Sequence, residues 1–271
     1  MTSTHYKDFL ETATKAASLA GGIIMKNLGK LSREDIKIKM AADFVTRVDK
    51  ESEEVIIKTI KETFPDHNFL AEESAHQDTD SDYQWIIDPL DGTTNFIHGF
   101  PVFSVSIALA HKGDIIAGTV YDPVRQEVFT AQRGKGAFLN GDLIHVSDIP
   151  EFSESLVATG FPFRKKEFMD KYLNLFRNIF EMVSDLRRAG SAALDLSYLA
   201  SGRCDGFFEI GLSPWDIAAG SLLIEEAGGI ITDFGGGNDY LKTGNIVAGS
   251  PAAHKKILDE VEKVFHGSID K

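Results

Sequence analysis

Two carboxylates three positions apart, Asp88 and Asp91, stand in the string Asp88-Pro89-Leu90-Asp91-Gly92-Thr93-Thr94, directly after the apolar run Trp85-Ile86-Ile87. Carboxylate oxygens are hard donors. Pro89 between them fixes one φ angle and removes a backbone donor, so both acids can be aimed at one spot that suits a magnesium ion. Gly92-Thr93-Thr94 then supplies permissive backbone, free N–H groups and hydroxyls where a helix can begin, an arrangement that favours an anion such as phosphate. An ordinary turn is the plainer reading, since Asp, Pro and Gly are all turn formers.

Further acids fall where elements are expected to end. Asp49 closes Asp43-Phe44-Val45-Thr46-Arg47-Val48-Asp49, in which Asp43, Thr46 and Asp49 are all helix-cap candidates. Glu72 and Glu73 follow the short strand His67 to Ala71; if that strand neighbours the one ending at Asp88, Glu72 and Asp88 share one sheet edge. Asp216 opens an apolar helix at Trp215, where an acid also complements the helix dipole. Glu209 ends the strand Asp205 to Glu209, and Gly190-Ser191-Ala192 sits at a strand-to-helix junction behind Arg187 and Arg188. No rival nucleophile emerges: Cys204 has no adjacent base in sequence, and there is no Gly-x-Ser-x-Gly elbow.

The stretch Trp85 to Gly99 resembles the first signature of the inositol monophosphatase superfamily of Mg-dependent, lithium-sensitive phosphatases. Trp215-Asp216-Ile217-Ala218-Ala219-Gly220, with Glu225-Glu226-Ala227-Gly228-Gly229 after it, matches the second. The resemblance implies an α/β (α+β) fold, a layered αβαβα sandwich of the inositol monophosphatase / fructose-1,6-bisphosphatase type. It implies two or three Mg²⁺ ions held by Glu72, Asp88, the Leu90 carbonyl, Asp91 and Asp216, with Glu73 as a partner behind Glu72. An all-oxygen set of this kind suits Mg²⁺ better than zinc. Asp49, Thr93 and Glu72 would be catalytic, Asp49 with Thr93 orienting the attacking water. Substrate contacts would come from Asp91, Gly92, Thr93, Gly190, Ser191, Ala192, Glu209 and Asp216. One departure is that Lys37 and Lys39 precede Asp43 at offsets slightly different from the family's lysine, so neither takes a role.

The implied reaction is hydrolysis of a polyol phosphate, myo-inositol monophosphate first, by a metal-activated water. Fructose 1,6-bisphosphate is the main competing substrate, with histidinol phosphate and nucleotide 3′-phosphates behind it. A function of another class is a partner protein of the transcription machinery with incidental phosphatase activity. The resemblance also implies a homodimer.

The elements that must position these residues can be read from the pattern. Over 271 residues, 43% hydrophobic content suffices for a sizeable core in one large or two intimately packed domains. Lys and Arg number 28 against 41 Asp and Glu, a net charge of −13, which disfavours direct nucleic-acid binding or an anionic membrane surface. A single cysteine excludes an intrachain disulfide, and no signal-peptide core or membrane-length apolar run is evident, so a cytoplasmic location is expected.

Helical spacing runs from Tyr6 to Leu28, and a second helix should follow Asp49 and reach about Phe64. Antiparallel strands are expected at Val102 to Ala110, Ile115 to Tyr121 and Glu127 to Ala131, with a further hairpin over Gly134 to Gly141 whose Gly-Lys-Gly lacks phosphate-loop spacing. From Ser155 the rhythm changes to strands alternating with helices, ending in a helix from Pro251 to Phe265. This divides the chain into 1–146, an α+β subdomain carrying the metal loops, and 147–271, an α/β subdomain that closes the cleft.

Overall fold

The structure is a computed structural model and describes residues 3–40, 43–74, 79–266 and 269. Helix α1 (Ser3–Asn27) puts Phe9, Ala13, Ala16, Ala17, Ala20 and Ile24 on one face, all buried, and Gly29 turns the chain with a positive φ. A short antiparallel ribbon, β1 (Ile36–Met40) with β2 (Asp43–Thr46), leads into α2 (Arg47–Thr63). Of the three cap candidates Thr46 is the N-cap of α2, and Asp49 returns the bond to the Thr46 N–H. Lys37 and Lys39 lie on β1, and Lys37 is exposed.

A seven-stranded sheet follows in chain order: β3 (Asn68–Ala71), β4 (Tyr83–Asp91), β5 (Ser104–His111), β6 (Asp114–Asp122), β7 (Glu127–Gln132), β8 (Gly136–Leu139) and β9 (Asp142–Ile144). Only β3 and β4 pair in parallel; the rest is an antiparallel meander. Helix α3 (Thr93–Ile97) interrupts it between β4 and β5. Beyond residue 155 come β10 (Leu156–Thr159), α4 (Met169–Phe180), β11 (Asp185–Arg187), α5 (Ala192–Ala200), β12 (Gly206–Glu209), α6 (Pro214–Glu226), β13 (Ile230–Thr232), α7 (Tyr240–Thr243), β14 (Ile246–Gly249) and α8 (Pro251–Phe265). Their five strands form a mixed sheet in the order β11-β10-β12-β14-β13.

Alternation along β4 shows how these sheets stack. Trp85 and Ile87 point into one apolar cluster with α1 and α2, whereas Ile86 points into another with α5 and α6. A third cluster joins the far face of the second sheet to α4 and α8. The layers are therefore helices, sheet, helices, sheet, helices, the αβαβα sandwich. Since α5 and α6 lie between two sheets, they are apolar all round rather than amphipathic, and a Cβ on Gly220 of α6 would come within 2.6 Å of Leu196 on α5.

Several boundaries differ from the sequence expectation for identifiable reasons. β4 does not stop before Asp88 but continues through the acids to Asp91, because a bulge lets the strand carry Pro89. The Gly134–Gly141 segment is the centre of two hairpins, with a turn on each side of β8. Its glycine-rich turn makes a ring of backbone N–H groups at 134, 135 and 136 that Glu226 fills, which accounts for the Gly-Lys-Gly motif structurally. β5 begins at Ser104 rather than Val102, and a 3₁₀ turn, Lys166–Phe168, precedes α4. Helix α7 had no visible pattern, being one turn long. In the polar stretch between β3 and β4, residues 75–78 lie outside the described residues.

Candidate active site

The parallel pairing of β3 with β4 sets Ala71 opposite Ile87, so the next residues, Glu72 and Asp88, emerge side by side at the same sheet edge. The Glu72 N–H still donates to the Ile87 carbonyl at 3.2 Å. Positions 88 and 91 of a regular strand would face opposite sides. Against β5, however, Asp88 pairs with Ser106 and Asp91 with Ser104, which leaves one extra residue on β4 and turns both acids to one side. The Leu90 N–H donates to Asp88 Oδ1 at 2.9 Å, which holds the bulge shut.

The middle helices supply the opposite wall. Asp216, in the first turn of α6, accepts from the Ser213 N–H at 2.7 Å. Asp91 Oδ2 accepts from Ser191 Oγ at 2.6 Å and from the Ala193 N–H at 2.8 Å, at the N-terminus of α5. Two helix N-termini thus point at one group of acids, and their dipoles favour negative charge there. Carboxylate oxygens of Asp88, Asp91 and Asp216 come within 4.8 Å of one another, all three residues being largely buried.

Asp49 approaches from α2 and is fully buried. Its Oδ2 accepts from the Thr46 N–H at 2.9 Å and Thr46 Oγ1 at 2.5 Å, while its Oδ1 accepts from Thr93 Oγ1 at 2.9 Å. Thr93 Oγ1 also lies 3.1 Å from the Leu90 carbonyl, so its single proton has two acceptors to choose from. Burial pushes the Asp49 carboxyl up to about 6, against the bonds from Thr46 and Thr93 and with the charge of Glu72. Burial likewise raises Asp88, aided by the charges of Glu72, Asp91 and Asp216, and raises Asp91 to about 7, aided by Asp216 and Glu72 against the bonds from Ser191 and Ala193. Asp216 is also raised, though Arg164 at 3.4 Å opposes the shift.

Asp88, Asp91 and Asp216 open into a cavity of about 260 Å³ that also exposes the 92–95 turn, Gly160, Arg164, Arg188, Gly190 to Ala192, Asp195 and Glu209. Gly92 has φ 94, and a Cβ there would meet the Val102 carbonyl at 2.9 Å, so the turn that presents Thr93 needs glycine. Asn95 ties the two walls together, its amide donating to the carbonyls of Val102 at 2.7 Å and Ala189 at 2.9 Å. The donor set fits a hard cation: carboxylates destabilised by one another, with no His or Cys among the residues lining the cavity.

The inositol monophosphatase family model matches residues 5–266. The chain belongs to that family. Curated relatives named Nus factor SuhB, among them that of Escherichia coli strain K12, are 52% identical over 250 residues, covering 92% of this chain and 94% of theirs. Among solved structures, the extragenic suppressor protein suhB of Bartonella henselae superposes with a TM-score of 0.92 at 41% identity, covering 94% of this chain and 99% of that one. The inositol monophosphatase of Anabaena does so with 0.85 at 40% identity, covering 95% and 96%.

Within this inositol monophosphatase fold, Glu72, Asp88, Leu90, Asp91, Gly92, Thr93, Gly190, Ser191, Ala192, Glu209 and Asp216 all line one cavity, with Asp49 directly behind Thr93. Glu72 is half-buried and lies outside the tight group of three acids. Glu73 does not line the cavity; its N–H donates to Glu53. The two arginines separate: Arg187 pairs with Asp185 at 2.5 Å, and Arg188 lines the cavity, its guanidinium over the Phe161 ring. Sequence reasoning missed Gly160, Arg164 and Asp195. Asp195 alone left a trace, because a helix starting at 192 puts it one turn beyond Ser191 on the same face.

Proposed function

We propose that the protein is a Mg²⁺-dependent phosphoric monoester hydrolase whose foremost substrate is myo-inositol monophosphate. The observation that carries this reading is the Thr93–Asp49 pair set against the Asp88, Asp91 and Asp216 cluster. Those three acids, the Leu90 carbonyl and Glu72 would hold the metal, two or three ions in all. Bound there, the ions would polarise the phosphate and lower the pKa of an attacking water.

The chain's own part is orientation and proton acceptance. A water hydrogen-bonded to Thr93 Oγ1 donates to it while Thr93 donates to Asp49, and an Asp49 carboxyl raised to about 6 is matched to accept a proton near neutrality. Gly92, Thr93 and the 190–192 turn, with Asp91 and Asp216 beside them, are suited to the phosphate and the alcohol that carries it, and Glu209 to a hydroxyl. Lithium, small enough for an oxygen site, should inhibit.

The test is phosphate release with Mg²⁺ from inositol 1-phosphate, fructose 1,6-bisphosphate, histidinol phosphate and adenosine 3′,5′-bisphosphate. Highest kcat/KM on the inositol ester supports the reading; preference for fructose bisphosphate transfers it to the main alternative, and no release from any ester overturns it. A second reading rests on the relatives named Nus factors: this chain would be a partner of transcription proteins, with phosphatase activity incidental. Pull-down with the intact protein decides it, specific recovery of transcription factors supporting the partner role. We also expect a homodimer in the cytoplasm. Among the described residues no helix is long and apolar enough to cross a membrane.

A further inference from the structure

Asp195 lies on α5 four residues after Ser191, so its side chain shares the helix face from which Ser191 Oγ reaches Asp91. It lines the cavity and is only 4% exposed. Glu209 reaches the same cavity from the end of β12 and is 7% exposed. Neither carboxyl group takes part in a hydrogen bond among the described residues. That sets both apart from Asp49, Asp88, Asp91 and Asp216, each of which accepts at least one.

No oxygen of either group is among the fully enclosed polar atoms left without a partner, so the free oxygens face the cavity. Two acids that offer oxygens to one cavity and bond no protein donor are placed to receive donors from a ligand. Burial raises both groups; the first charge acting on Asp195 is that of Asp91 and on Glu209 that of Asp195, with Arg188 opposing in each case. A ligand hydroxyl donates to a carboxylate and keeps an oxygen that can accept from Arg188, which lines the same cavity, whereas an ammonium ion offers donors only.

We propose that Asp195 is a further specificity-determining residue, which joins Glu209, already read as a hydroxyl contact, in holding hydroxyl groups of the ligand. The term leaving alcohol for that ligand rests on the phosphatase reading, whereas the binding of hydroxyls does not.

The experiment compares wild type with Asp195→Leu, which removes the polar group at similar volume, and with Asp195→Asn, which keeps hydrogen bonding. Two readouts are taken on the full-length protein: kcat/KM for inositol 1-phosphate and cyclohexyl phosphate, and calorimetric binding of free myo-inositol with Mg²⁺ and inorganic phosphate present. Asp195→Leu is expected to lower kcat/KM on inositol 1-phosphate by about 10- to 100-fold and weaken inositol binding similarly, while cyclohexyl phosphate is unaffected and Asp195→Asn recovers most of the loss. Equal loss on both esters, no loss on either, or faster turnover of an amino-alcohol phosphate than of inositol 1-phosphate by wild type would overturn the inference. If wild type releases no phosphate but binds inositol through Asp195, the phosphatase reading falls and this one stands; if it does neither, both fall. Should Asp195→Leu not fold, Asp195→Ser takes its place with the same expectations.

Discussion

The carboxylate of Glu209 occupies the space that a side chain on residue 160 would fill: a Cβ built on Gly160 overlaps both its oxygens and its carboxyl carbon. Gly160 follows β10, which pairs in parallel with β12, so the two residues meet where neighbouring strands end. Gly160→Ala must therefore displace Glu209. On the proposed function, it should lower kcat/KM on a polyol phosphate by about 1–3 kcal/mol, as Glu209→Gln also should, and leave an aryl phosphate without hydroxyls unaffected. The two changes share one cause, so the double variant should be little worse than either alone. Additive losses in that cycle would dissociate Gly160 from Glu209.

Asp91→Asn should remove turnover while the fold survives. Asp91 is both a proposed metal ligand and the acceptor for Ser191 Oγ and the Ala193 N–H. An asparagine keeps one acceptor oxygen, so the structural loss is about 1 kcal/mol, whereas loss of a charged ligand should exceed the roughly 10- to 100-fold effect typical of outer-sphere changes. Activity within tenfold of wild type, measured at saturating Mg²⁺, would remove Asp91 from the metal site.

The fold class and most residues of the candidate site were legible because their signals are local. Asp88-Pro89-Leu90-Asp91-Gly92 places two acids and a glycine within five residues, and two rhythms, a meander and then alternating strands and helices, give the α/β class, while the αβαβα layering came from the family resemblance. What stayed hidden depends on distant pairing. Gly160 matters only because β12 delivers Glu209 beside it, forty-nine positions later in the chain, and Arg164 only because α6 brings Asp216 within 3.4 Å. The β4 bulge could not be read from period-2 alternation either. It exists through register with Ser104 and Ser106 on the next strand.

Thr93→Val tests the proton path without touching a carboxylate. The hydroxyl is the only atom of Thr93 seen to bond Asp49, and valine keeps the side-chain shape. Turnover should fall by about 10²- to 10⁴-fold, the usual worth of positioned proton transfer, while Mg²⁺ affinity measured by calorimetry stays within a few-fold. A parallel loss of Mg²⁺ affinity would mean that Thr93 supports the metal cluster rather than the water.

Removing the metal should reverse the ordinary response of the protein's stability to pH. Asp49 is held protonated to about 6 by burial, and Asp88 and Asp91 are raised for the same reason. An acid raised in the folded state binds more protons there than in the unfolded chain, so its contribution is greatest at low pH and is lost as pH climbs from the usual carboxylate range through the folded value. For Asp49 this amounts to about 3 kcal/mol between roughly pH 4 and 7, or several degrees in Tm for a chain of this size. In EDTA, wild type should therefore lose more Tm between pH 5 and 8 than Asp49→Asn, whose amide carries no charge to desolvate. Mg²⁺ binds the deprotonated acids, so the Tm gain on adding it should grow over the same interval. A gain that shrinks toward pH 8, or identical EDTA profiles for the two proteins, would show that these carboxylates are already ionised in the metal-free fold.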